Sequence, residues 1–205
     1  MRLSTRARLS AARAGITLGL GGGELERLFR ATARAFGASV PARRAPGLAA
    51  RLREYASFTR RHAEAALARA GGASRSASGG ASGRTQAEAV GPQAEAVEGR
   101  LFQAGRELGQ GYRARLGVRS LEEAMAAARV VYGGIGIDFR GGADGKVVIH
   151  RCRFASIYSP GVCRVISAMD RGLLSGLADG GELHFCQRLT EGAPSCTATF
   201  EGAGS

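Results

Sequence analysis

The residues able to do chemistry are gathered near the C-terminal end of the 205-residue chain. Residues 147–200 hold all four cysteines (Cys152, Cys163, Cys186, Cys196), His150 and His184 of the three histidines, and Asp170 inside an otherwise apolar helical pattern. Cys163 falls near the start of the helix expected from Val162 to Leu177. Exposed amides and the helix dipole favour a thiolate there, and Arg164 pushes the same way. Cys163 is therefore the leading candidate for a nucleophile or a metal ligand; the competing reading is a small apolar side chain packed under a sheet. Asp170 follows on the same helix face, roughly 10 Å further along the axis. An aspartate on an apolar stripe must be paired, bind a metal or face a cavity, because burying a lone carboxylate is costly. Arg171 and Arg188 are its candidate structural partners.

His184 and Cys186 stand two apart on an expected strand, which puts their side chains on one face. Pairing of the last two strands is expected to bring Cys196 close to them. Cys163, Cys186, Cys196 and His184 thus form a candidate soft site for zinc or another transition metal, with His184 also a candidate to assist catalysis. His150 and Cys152 repeat the same spacing on an earlier strand.

The elements that must position these groups follow from the apolar periodicity. Ile135, Ile137 and Phe139 alternate as a strand, the GGADG run from Gly141 turns the chain, and Val147, Ile149 and Phe154 read as a second, half-buried strand. Pro160 and Gly161 break the chain before Val162, Val165, Ile166, Met169, Leu173 and Leu177 recur at helical spacing. Leu183 to Leu189 and Ser195 to Phe200 supply two more strands. Upstream, Leu101, Gly105, Leu108, Tyr112 and Leu116 share a face, and Ser120 with Glu123 forms a capping box for a helix carrying Leu121, Met125, Ala128 and Tyr132. The predicted fold class is α+β: an antiparallel sheet of about four strands covered by helices, preceded by an N-terminal helical extension.

The order of these residues resembles the L-2-amino-thiazoline-4-carboxylic acid hydrolase family, related to 4-vinyl reductase domains. The matching positions are Cys152 ending a strand, Cys163 opening a helix, Asp170, and a closing T-x-G-x-x-x-C-x-x-x-F made by Thr190, Gly192, Cys196 and Phe200. The resemblance covers the chain from about Arg100 onward. It implies helices on an antiparallel sheet and either hydrolysis of a small heterocycle or binding of a small ligand. In related domains that sense aromatic compounds, three cysteines and a glutamate hold zinc. Cys163 and Cys196 match the first and last of those cysteines, while Phe185 and Arg188 stand at the glutamate and middle-cysteine positions, so that Cys186 or His184 would have to complete the set.

The net charge of +12 suggests nucleic acid at first sight, but its distribution argues otherwise. Residues 1–84 hold 16 arginines against 4 glutamates, whereas residues 85–205 balance 12 arginines and Lys146 against 13 acids. With a single lysine and heavy Ala and Gly usage, the bias is what a GC-rich genome produces without selection for phosphate contacts, and nucleic-acid binding is not expected. No apolar run approaches the roughly 18 residues of a membrane span. Four cysteines are too sparse for a disulfide scaffold, which points to reduced thiols in a cytoplasmic protein. The acid-free start, Met1 to Gly23, loosely resembles an organelle transit peptide but reads better as unstructured.

Three regions are expected. Residues 1–70 form a basic helical segment, with Leu25, Leu28, Phe29, Thr32 and Phe36 on the face of one helix, a Pro41–Pro46 loop around Arg43 and Arg44, and Leu48, Leu52, Tyr55, Phe58, His62 and Ala66 on the face of a second. His62, inside that stripe, reads as a packed histidine. Residues 71–99 form a Gly/Ser/Ala-rich flexible linker, since they contain too few apolar side chains to offset the entropy of ordering. Residues 100–205 form the α+β domain. Its function is either that of a small-molecule hydrolase, in which a Cys163 thiolate or a metal-activated water attacks a C=N carbon while Asp170 and His184 manage protons, or that of a non-catalytic sensor-type ligand pocket. A homodimer is compatible with either.

Overall fold

The computed structural model describes residue 7, residues 10–11, 22–41, 45–75 and 92–202. The basic start, Arg43 and Arg44, and the centre of the expected linker (76–91) lie outside the described residues. In chain order the elements are α1 (Gly22–Ala35), α2 (Leu48–Arg75), α3 (Pro92–Leu116), α4 (Leu121–Gly134), β1 (Ile137–Gly141), β2 (Lys146–Cys152), α5 (Pro160–Ala178), β3 (Glu182–Gln187), a single 3₁₀ turn at Leu189–Glu191, and β4 (Cys196–Glu201). The four strands form one antiparallel sheet in the order β1-β2-β4-β3. The expected α+β class holds. No helix among the described residues is long and apolar enough to cross a membrane.

Several boundaries moved for local reasons. Pro160 begins α5 instead of breaking the chain: Ser159 caps the helix by accepting from the Val162 N–H at 3.3 Å, and proline at the first helical position has its φ already set. Ser120 caps α4 by accepting from the Glu123 N–H, and Glu123 reaches back to the Arg119 N–H, one residue earlier than the ideal capping box. Gly71 does not end α2, which runs to Arg75, and α3 begins at Pro92 with Ala94 and Val97 already buried. Residues 71–75 and 92–99 are therefore helical, not linker.

The helices pack on one face of the sheet, against Ile137, Phe139, Val147, Leu183, Ala198 and Phe200. Leu25 and Phe29 of α1, with Leu52, Tyr55 and Phe58 of α2, belong to the same core as α3, α4, α5 and the sheet. His62 is packed, stacked on Phe36 with ring centroids 5.3 Å apart and tilted against Phe58 at 4.4 Å; burial lowers its pKa.

At the centre of the molecule, α3 and α5 cross with their backbones touching. Each carries glycines four apart, Gly105 and Gly109 on α3 and Gly172 and Gly176 on α5. A Cβ on any of them would run into a carbonyl oxygen of the other helix: Met169 and Leu173 for the first pair, Phe102 and Arg106 for the second. The stripes are reciprocal, so the spacing between the two helices is set by backbone contact. Arg113 adds a polar clamp, donating to the Leu177 carbonyl at 3.0 Å and lying 3.3 Å from Asp179, the left-handed cap of α5.

Candidate functional site

Side by side with this helix pair, α5 turns the residues around Asp170 toward a mostly apolar cavity of about 80 Å³. Every layer contributes to it: Leu28 from α1, Tyr55 from α2, Leu108 from α3, Tyr132 from α4, and Cys163 and Asp170 from α5. Cys152 at the end of β2, Thr190 in the 3₁₀ turn and Cys196 at the start of β4 close the other side. A single ordered water needs only about 10–15 Å³, so the space suits a compact small molecule.

Asp170 is the main electrostatic feature. The Tyr132 hydroxyl donates to Oδ1 at 2.9 Å, and no other hydrogen bond reaches the carboxyl from the described residues. The residue as a whole keeps part of its surface accessible, and it lines the cavity. Burial is the largest influence and pushes its pKa from 3.8 up to about 6, against smaller downward pulls from the Tyr132 hydrogen bond and the Arg188 charge. The Tyr132 phenol is in turn raised, by burial first and by the neighbouring carboxylate second. Arg188 is held over the Phe185 ring at 4.5 Å. Its Nε, like the Thr190 hydroxyl in the cavity wall, is buried with no hydrogen-bond partner among the described residues.

The thiols do not share one environment. Cys152, Cys163 and Cys196 all line the cavity. Burial pushes Cys152 up to about 12, and Cys196 is also raised by burial although the Leu189 N–H donates to its sulfur at 3.3 Å. Cys186 and His184 are exposed on the opposite face of the sheet. The register explains this. His184 faces Thr199 across β3 and β4, while Cys196 faces Ile149 on β2 with its side chain in the core.

The expected metal set of Cys163, Cys186, Cys196 and His184 is therefore divided by the sheet, and His184, expected to assist at Cys163 and Asp170, is exposed and is not among the residues that line the cavity. Among the described residues, no group of three or more His, Cys, Asp or Glu side chains is placed to hold a metal ion, so zinc does not fit this donor arrangement.

A strand irregularity also separates His150 from Cys152. The β1–β2 register slips by one residue between Asp138 and Phe139, where His150 is passed over. That bulge lets both Ile149 and Cys152 face inward and leaves His150 exposed, so the simple alternation that paired His150 with Cys152 fails there. A similar slip in β3 falls at Cys186.

Tyr55 and Tyr132 are among the cavity residues that the sequence does not single out. Both read only as members of apolar stripes; their hydroxyls were the one available signal, since a buried phenol must find a partner. Tyr132 finds Asp170, and Tyr55 finds Thr32 at 3.1 Å. Five positions carrying the stated family resemblance, Cys152, Cys163, Asp170, Thr190 and Cys196, line this one cavity. Comparison of the chain with protein-family models, with curated proteins and with solved structures finds no match.

Proposed function

We propose that the chain is a small-ligand-binding module whose inner cavity takes a compact, largely apolar molecule bearing one polar end. The carrying observation is the buried Asp170 carboxyl, tied to Tyr132 through one oxygen only and facing an apolar hollow. The carboxyl and the partnerless Thr190 hydroxyl are the polar handles offered to a ligand, since Glu24 and Ser167, which also line the hollow, are engaged by Tyr112 and the Cys163 carbonyl; the surrounding aliphatic and aromatic walls supply nonspecific affinity. This arrangement agrees with the sensor-type reading of the 4-vinyl-reductase resemblance better than with the hydrolase reading. Cys152 and Cys196 are weak nucleophiles with their pKa values raised, and no histidine lines the hollow to take a proton.

One observation favours hydrolysis as a second reading: Cys163 and Asp170 line the same cavity, so a thiol and a carboxyl that titrates near pH 6 face one bound molecule. The two readings separate on a single preparation. Phenol, aniline and toluene are titrated by calorimetry, and mixtures with small cyclic amidines are followed by mass spectrometry. Saturable binding without product, weakened by Asp170→Ala for the polar probes more than for toluene, is expected. No saturable binding by any probe refutes the module. Product that disappears in Cys163→Ala replaces it with the hydrolase.

A further inference from the structure

Ile137 and Cys152 contribute to two hollows, the inner cavity and a wider cleft framed by α4, the β1–β2 end and the segment that follows β2. Among the described residues the polar lining of the cleft is Arg129, Arg151, Arg153, Ser156 and Ser10 of the N-terminal segment, with Asp138 as its one acid. Asp138 is engaged by Arg140 at 3.7 Å. The second half of the chain is electrically balanced, and other arginines there meet carboxylates: Arg113 with Asp179, Arg164 with Glu191, Arg171 with Glu182. Arg129, Arg151 and Arg153 have no carboxylate within ion-pair distance among the described residues, yet they converge on one concavity. Like charges gathered there repel one another unless an anion sits between them.

One of the three is held in place by the backbone. Gly136 has φ +80, and a Cβ there would meet the Arg153 side chain at Nε (2.9 Å), Cβ (3.4 Å) and Cδ (3.5 Å). The Arg153 stem thus lies flat on a glycine peptide, which also accepts the Arg153 backbone N–H at 3.3 Å. A guanidinium whose stem is already packed loses less freedom on binding, and its planar fork matches the oxygens of a carboxylate or phosphate.

We propose that this cleft is a binding site for a small oxyanion, a phosphate- or carboxylate-ended molecule, separate from the inner cavity. Three guanidiniums around one site favour the doubly charged phosphate.

The test uses the full chain at fixed ionic strength, because screening alone changes with salt. Inorganic phosphate is titrated by calorimetry, with the accompanying rise in Tm followed in parallel. Wild type is expected to saturate. Arg151→Gln/Arg153→Gln is expected to bind at least about tenfold more weakly, as loss of charge-assisted hydrogen bonds implies. The control pair Arg106→Gln/Arg119→Gln, exposed and outside the cleft, is expected to behave as wild type. Acetate titrated in the same way sorts a carboxylate end from a phosphate end. A response to both anions that never saturates, or an equal loss in the control pair, overturns the site and leaves solvated arginines only.

Discussion

Replacing Asp170 by asparagine tests the electrostatics of the cavity directly. Asparagine keeps the shape and the oxygen that accepts from Tyr132 but carries no charge at any pH. In the folded chain the Asp170 pKa rises from 3.8 to about 6, chiefly through burial. The folded state therefore favours the protonated acid. Its contribution to stability is fully present below pH 3.8 and is lost as pH rises through about 6. The full loss corresponds to about 3 kcal/mol at 1.36 kcal/mol per pKa unit. At pH 8 the variant should be more stable than wild type by about that amount, or roughly 6–12 °C in Tm for a chain of this size. At pH 4.5, where most of the folded protein has a neutral Asp170, the gain should shrink to about 1 kcal/mol. Urea unfolding of both proteins at the two pH values reads the double difference, in which all other titrating groups cancel. A variant less stable than wild type at pH 8, or a gain that does not depend on pH, would refute the buried-carboxyl account. The opposite signs expected for stability and for polar-probe binding are what a retained functional carboxyl implies.

Two further predictions concern packing and thiol access. Gly172→Ala forces a methyl group into the Phe102 carbonyl and must separate α3 from α5, at an expected cost of about 1–3 kcal/mol, whereas Gly111→Ala on α3, where nothing lies within 4 Å, should raise stability by up to about 1 kcal/mol; urea midpoints check both. At pH 8 a thiol reagent should label exposed Cys186 first and leave Cys152, whose pKa is pushed up to about 12, protected until the chain unfolds; peptide mapping that finds Cys152 labelled as fast as Cys186 would contradict its enclosure.

Helix and strand content could be read in the sequence because it rests on local periodicity. The stripes of α1, α2 and α4, the Ser120 cap and the alternation of β1 all carry their own signal within a few residues. Gly105 stands on the apolar face of α3 in the sequence, but its meaning, with that of Gly109, depends on Gly172 and Gly176, more than sixty positions away, and on which way the two helices cross.

The sequence by itself also placed Cys163 and Asp170 on one helix face, since that needs only the helical repeat. What the tertiary structure alone decided was which groups meet. Single-residue slips in β2 and β3 broke the alternation that had paired His150 with Cys152, and strand register sent His184 and Cys186 to the outer face while Cys196 went inward. Packing also brought α1 and α2 onto the site that the sequence had confined to residues beyond 100, with Leu28 and Tyr55 in its wall. Periodicity reports which face of an element is apolar; only the close packing of non-local faces determines that the partner of Asp170 is Tyr132.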